Sequence, residues 1–262
     1  MNLITSRDNP LVKELRRLSQ DSTAYRKTGR VWLEGDHLCR ALLARGLQPE
    51  QAVFAQSAWD QADPQLTKAS QKNTVLPDAL FREISGLESA STMGFVWTIP
   101  NAADSADDIQ NGVPTVFLDC IQDAGNVGSI LRSAGSFGFT QVLARKGTAA
   151  LWSPKVLRAA MGAHFGLNLF EGVGPEQLAD LQIAWLSTSS HQGPFLHTLG
   201  AKNALPSPCG WIFGHEGQGV SPEATQLASM TVRIAQPGGE ESLNVASAAA
   251  ICMHATATAG RV

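Results

Sequence analysis

Charge is scarce in this chain. Only 16% of its 262 residues are charged, and the formal net charge is −3. That balance excludes the evenly basic surface of many nucleic-acid binders. It leaves room for a local one: residues 1–46 hold nine Lys/Arg against five Asp/Glu. If the chain binds RNA, this arm is expected to contribute, because phosphate contacts dominate affinity. A solvated helical face is the competing reading. Cysteine is scarce too. Cys39, Cys120, Cys209 and Cys252 form no Cys-x-x-Cys pair and have no His at ligand spacing, so no metal is expected and a reduced, intracellular setting is indicated. There is no apolar run of signal-peptide type at the N-terminus and no uninterrupted run of about 18 apolar residues. A soluble, cytoplasmic protein without membrane association is expected. Repeats and low-complexity tracts are missing as well.

Apolar residues make up 44%, enough for a sizeable core in one large domain or two modest ones. Asn9, Pro10 and the spacing Leu11, Leu15, Leu18 predict a capped helix. A short apolar segment at Val31–Leu33 ends at Glu34-Gly35; a helix is expected from Asp36 to Arg45 stopped by Gly46, a strand at Val53–Ala55, a short helix over Leu76–Ile84 and a strand over Gly94–Ile99. This mixture suggests a small α/β domain. Residues 101–112 are acidic and poor in bulky apolar groups, which reads as a linker. From Val113 short apolar strands alternate with helical patterns. Strands are expected at Val116–Leu118, Gln141–Ala144, Leu167–Phe170, Ile183–Ser187, Trp211–Phe213 and Val232–Ile234. Helices are expected at Gly125–Phe137, Pro154–Ala163, Pro175–Leu181, Pro222–Ser229 and about Asn244–Ala259. That pattern predicts a mostly parallel sheet covered on both faces.

Three segments carry chemistry. In the first, strand 116–118 runs through a polar turn into a helix that bears Asn126 and Arg132. Gly125 and Gly128 let a ligand approach the backbone, and a helix N-terminus suits anionic groups. A loop Asn and a surface salt bridge are the bland alternative. In the second, Gly214-His-Glu-Gly-Gln-Gly219 follows a strand, where open α/β sheets bind ligands. Its glycine spacing matches neither the Rossmann fingerprint nor a P-loop. Glu216 is a candidate to orient Arg132 or contact RNA, or a structural Glu at a helix start. In the third, Glu241-Ser-Leu-Asn-Val-Ala246 opens an Ala-rich helix, with Ser242 as candidate N-cap and Asn244 in the first turn. Between the first two lies Trp152–Phe165, with Lys155 and Arg158 as candidate phosphate contacts. His164 is a weaker candidate base; beside Phe165 it reads more simply as a packing residue.

In this order the three segments resemble the motifs of the SpoU (TrmH-like) branch of the SPOUT methyltransferases, over Val113 to about Ala257. Ser6–Lys13 and Leu33–Gly35 look like the substrate-binding domain, similar to small RNA-binding ribosomal proteins, that precedes many of them. The resemblance implies an RNA-binding α/β domain at 1–105 and a trefoil-knotted α/β domain at 106–262, with the chain near 211–250 threaded through itself. It implies a homodimer with RNA sites across its interface. It further implies methyl transfer from S-adenosylmethionine to a ribose 2′-hydroxyl of structured RNA, rRNA favoured over tRNA. Asn126, Arg132, Glu216, Ser242 and Asn244 match the family's functional residues. Thr188, Gly214, Ile234 and Leu243 are expected to line the cofactor pocket, largely through backbone groups, with Gln236 adding a carbonyl or N–H. Relatives often carry Pro-Met where this chain has Ala235-Gln236. Arg132 is expected to orient substrate and clamp phosphate rather than act as base, since a guanidinium pKa lies above about 12.

Two other functions compete. One is a non-catalytic RNA-binding or ribosome-assembly protein that keeps the fold; the intact polar residues oppose it. The other is a nucleotide-dependent oxidoreductase, opposed by the glycine spacing and by the lack of an acidic residue closing the first βαβ unit.

Overall fold

The computed structural model describes residues 1–87, 89, 91–100, 108–238 and 242–259. Most of the expected linker and the expected 105/106 boundary lie outside the described residues. The chain forms two compact units, one of Met1–Ala103 with Trp152–Phe165, the other of Asp104–Leu151 with Gly166–Val262.

The first unit runs β1 (Asn2–Leu3), α1 (Pro10–Gln20), α2 (Tyr25–Thr28), β2 (Arg30–Glu34), α3 (Asp36–Ala44), β3 (Gln51–Ala55), α4 (Gln56–Trp59), α5 (Pro64–Thr67), β4 (Asn73–Leu76), α6 (Asp78–Ile84) and β5 (Met93–Thr98). Its sheet has the order β1-β4-β3-β5-β2, with β1, β4 and β3 parallel and β5 antiparallel to both β3 and β2. Asn9 caps α1 as its position suggests, accepting from the Leu11 N–H at 2.9 Å, with Pro10 in the first turn. The buried face of α1 carries Val12, Leu15 and Leu18, which join Trp32, Val53, Leu76, Phe81 and Val96 in the core.

Many cations of the basic arm are already paired. Arg7 and Arg16 meet Glu83, Arg30 meets Glu14 and Glu50, and Arg40 meets Asp36 and Asp63. Arg17, Lys27 and Arg45 make no ion pair among the described residues.

The second unit contains β6 (Thr115–Asp119), α7 (Ala124–Phe137), β7 (Gln141–Ala144), then, after α8 (Pro154–Ala160) of the first unit, β8 (Asn168–Glu171), α9 (Pro175–Leu178), β9 (Ala184–Thr188), α10 (Leu196–Ala201), β10 (Cys209–Gly214), α11 (Pro222–Leu227), β11 (Met230–Val232) and α12 (Val245–Thr258). Its sheet is parallel throughout, in the order β11-β9-β10-β6-β7-β8. Phe117, Leu143, Phe170, Leu178, Trp185, Ile212 and Ala224 form a core on one side. Elsewhere α7 packs on α12, and Trp211 Nε1 donates to Thr256 Oγ1 at 3.0 Å.

Placing Trp152–Phe165 in the second domain needs correction. This segment belongs to the first unit, where the Trp97 ring lies 5.7 Å from Trp152 and 5.4 Å from Phe165. Arg158 donates to the Gly86 carbonyl at 3.0 Å. Aromatic burial, with an area term of about 25 cal/mol per Å², overrides proximity along the chain. His164 is buried with its ring 4.8 Å from Trp152, as a packing residue should be.

Gly94 shows how tightly the first sheet is filled. A Cβ there would lie 2.3 Å from Trp32 Cη2 and 2.7 Å from the Leu33 carbonyl oxygen. Gly94→Ala is therefore expected to lower unfolding free energy by about 1–3 kcal/mol through overpacking. Urea denaturation checks this; an unchanged midpoint would contradict the packing described.

Candidate active site

In the second unit the strand order reverses around β6 and β10. β6 leads on to β7 on one side, while β10 and β9 lie on the other. Such a switch point leaves a crevice at the carboxyl ends of the strands. The turn after β6 and the loop after β10 both open there, and they carry Asn126 and Glu216.

Local chemistry fixes α7 first. Asp123 caps it, accepting from the Asn126 N–H at 2.7 Å, and Gly138 ends it at φ 81°. Asn126 therefore sits in the first turn. The loop after β10 is closed by its glycines: the Gly219 N–H donates to the His215 carbonyl at 2.8 Å. A Cβ on Gly214 would lie 2.1 Å from the Gly219 carbonyl carbon, so only glycine fits. His215 Nδ1 accepts from the Gly217 and Gln218 N–H groups at 3.0 and 3.3 Å.

Glu216 accepts from the Gln122 and Asp123 N–H groups at 3.3 and 3.2 Å, and from Asn126 Nδ2 at 3.1 Å. Asn126 Oδ1 in turn accepts from Asn244 Nδ2 at 2.9 Å. Asn244 Oδ1 accepts from the Ala246 and Ser247 N–H groups at 2.9 and 3.3 Å, capping α12. One residue from each sequence segment thus joins a single chain of hydrogen bonds. Desolvation raises the Glu216 pKa, but hydrogen bonds from the Asn126 side chain and the nearby backbone outweigh it and hold the carboxyl below its ordinary value.

Two expectations change. Ser242 is not the cap of α12; it lies two residues ahead, exposed, and Asn244 takes the role because its amide oxygen reaches two free backbone donors. Glu216 does not contact Arg132 among the described residues; it accepts instead from the start of α7. Arg132 lies further along α7, exposed, with no ion pair among the described residues.

Thr188 ends β9, with Val232 of β11 as its partner, and Gly214 ends β10 opposite Asp119. Ile234 and Gln236 follow β11. Four of the expected cofactor residues thus stand at or just beyond the carboxyl ends of neighbouring strands. Leu243, 39% exposed, precedes α12. The Oε1 of Gln236 is buried without a hydrogen-bond partner among the described residues. A cavity of about 500 Å³ lies between Leu196–His197, Ile234–Ala235 and the middle of α12; of the expected cofactor residues it touches Ile234 alone.

Sequence reasoning missed a second set. Asp119, buried at the end of β6, accepts from the Ser221 N–H at 2.7 Å and from Arg145 at 2.9 Å. Arg145 also reaches Ser221 Oγ at 2.9 Å, and its hydrogen bond to Asp119 raises its pKa. This triad fastens the far end of the glycine loop. The signal was an acid closing an otherwise apolar strand, followed by Ser-Pro at a helix start. The described residues contain no group of three or more His, Cys, Asp or Glu able to hold a metal.

A parallel α/β sheet with polar loops converging at its switch point is the arrangement in which open α/β proteins bind their ligands. The profile of the SpoU rRNA methylase family matches residues 114–254, and the chain belongs to that family. It is similar to an uncharacterized tRNA/rRNA methyltransferase from Synechocystis sp., 30% identical over 96% of this chain and 92% of that one. It also resembles the 23S rRNA (guanosine(2553)-2′-O)-methyltransferase RlmP of Bacillus subtilis, 26% identical over 97% and 98%. Among solved structures, a TrmH-family protein of Porphyromonas gingivalis aligns with TM-score 0.76, 27% identity and coverage of 94% and 96%. An AdoMet-bound rRNA methyltransferase of Sinorhizobium meliloti shares the fold, with TM-score 0.80, 22% identity and 97% coverage of both chains. Both likenesses extend over the first unit as well as the second.

The lowered Glu216 pKa gives the network a pH dependence. Its contribution is fully present above the ordinary carboxylate range and is lost as pH falls through the lowered value. A difference in acid sensitivity between wild type and Glu216→Gln, with wild type losing more stability in that window, is expected in thermal melts taken from pH 6 downward. Identical profiles would contradict the hydrogen bonding assigned to Glu216.

Proposed function

We propose that this protein transfers a methyl group from S-adenosylmethionine to a ribose 2′-hydroxyl of ribosomal RNA. The observation that carries this reading is the hydrogen-bonded chain Glu216–Asn126–Asn244, which joins three segments 90 and 118 residues apart. The names of RlmP and of the Sinorhizobium enzyme support rRNA over tRNA as substrate.

The residues present fit the cofactor. Thr188, Gly214 and Ile234 supply backbone groups at adjacent strand ends, and the Gln236 Oε1, without a partner among the described residues, is an acceptor suited to an adenine amino group. Leu243 adds an apolar side chain. Bound S-adenosylmethionine supplies a methyl group on a good leaving group, so alignment and proton removal fall to the rest of the site. Arg132, exposed on rigid α7, holds the RNA phosphate and favours the developing alkoxide. The 2′-hydroxyl proton passes to water or to a phosphate oxygen, because a guanidinium is always charged. Ser242, exposed beside Leu243 just ahead of α12, is proposed to contact the substrate.

The knot and the dimer belong to the same proposal. Ser189 N–H donates to Val232, Arg233 N–H to Pro194 and Leu196 N–H to Arg233; residues 189–196 are thus laced to the start of the segment that the proposed knot would thread. The dimer reading rests on α12, a helix rich in Ala that leaves Ile251 41% exposed, a surface suited to a second copy. In the first unit Arg17, Lys27 and Arg45, with Lys155, are proposed to meet RNA phosphates. The cytoplasm is the proposed location, consistent with four free cysteines.

Mapping ribose methylation across ribosomal RNA from a deletion strain tests the activity: one site lost, and regained on complementation, is expected. No lost site, together with no transfer by purified protein to unmodified rRNA, would overturn it. Arg132→Ala is expected to reduce methyl transfer at least about 100-fold while S-adenosylmethionine affinity, read by calorimetry, changes little. Equal loss of both in a folded variant would contradict the role given to Arg132.

A further inference from the structure

We infer that Phe195, His197 and Arg233 form a stacking platform for an unpaired base of the RNA substrate, a reading that rests on the proposed function and assigns it a substrate contact. Phe195 is 38% exposed. The Arg233 guanidinium carbon lies 4.3 Å from its ring centroid. The His197 ring is stacked with it at 5.5 Å, the planes only 22° apart. A guanidinium and an imidazole thus both lie against the Phe195 ring at the surface of the second unit.

The stack is built rather than incidental. Phe195 and Arg233 form a parallel β-bridge. Arg233 Nε donates to the Gly193 carbonyl at 2.8 Å, which fixes the guanidinium plane. Gly193 adopts φ +93°, and a Cβ there would lie 1.8 Å from the Thr231 carbonyl oxygen; glycine alone allows this loop to press against β11. The platform is therefore anchored to the strand whose extension carries Ile234 and Gln236.

The chemistry selects an unpaired base. Nucleobases stack on aromatic rings and guanidinium planes, whatever their sequence. Arg233 makes no ion pair among the described residues, so its charge remains for a phosphate of the same nucleotide. An apolar peptide would satisfy Phe195 and leave that charge without a counterion. The position also fits. Phe195 lies seven residues beyond Thr188, and Arg233 directly precedes Ile234, so a base held here flanks the ribose presented to the methyl donor.

The test uses the full chain and a single-stranded RNA oligonucleotide carrying 2-aminopurine, whose fluorescence is quenched by stacking. Wild type is expected to quench the probe. Phe195→Leu combined with His197→Ala is expected to abolish the quenching and to raise KM for an rRNA fragment about tenfold, with kcat and S-adenosylmethionine affinity within about twofold. Phe195→Trp should retain quenching and KM, since it keeps a flat ring. A folded double variant that quenches like wild type and keeps its KM would overturn the inference. Quenching is read without turnover: a wild type that quenches but methylates no rRNA would sustain the platform and sink the proposed activity, whereas normal methylation without quenching would do the reverse.

Discussion

The site depends on one amide. Asn126 donates to Glu216 and accepts from Asn244, a double role that neither a carboxylate nor a hydrocarbon of similar size performs, because only a side-chain amide offers both functions on one plane. Its orientation is set by those partners, and it sets theirs. Glu216 in turn receives two backbone N–H groups at the start of α7, where the helix dipole favours an anion. Asn244 spends its oxygen on the first turn of α12. Two helices and the glycine loop are thereby held at one point, above the carboxyl ends of β6 and β10.

Rigid support of this kind suits a reaction in which the leaving group is already good and geometry is what remains to be supplied. Arg132 projects from the helix that Asp123 caps and Asn126 tethers, so its backbone is fixed while its side chain stays exposed. At the other end of the glycine loop, Asp119 grips Ser221 and Arg145. The loop is pinned at both ends by carboxylates, one on the loop itself and one on the neighbouring strand.

Much of this was legible in the sequence. Elements with strong periodicity stand where expected: Asn9 and Pro10 begin a helix, Gln141–Ala144 is a strand, and the helix expected at Gly125–Phe137 is α7. The elements missed are short or lack a pattern, such as the two-residue β1 and helix α10. The strand expected at Val232–Ile234 is displaced to Met230–Val232, since Arg233 instead bridges Phe195, a pairing between distant segments that local apolar runs do not encode. Ser242 looked like a cap because Ser and Asn serve almost equally well there; the choice depends on which oxygen reaches the free N–H groups. The partners of Glu216 were hidden for the same reason, being set by the meeting of two loops. The assignment of Trp152–Phe165 to the first unit was equally out of reach, because Trp97, some 55 residues earlier, provides the surface it covers.

The most direct test of the central hydrogen-bonded chain is a double-mutant cycle on Asn126→Ala and Asn244→Ala, read by single-turnover methyl transfer to rRNA at saturating S-adenosylmethionine. The expected result is strong non-additivity: each single variant loses most of the rate, and the double variant is little worse than either, a coupling on the order of 1–3 kcal/mol. Additive losses in folded variants would show that the two residues act independently and would contradict the placement of Asn126 at the centre of the site.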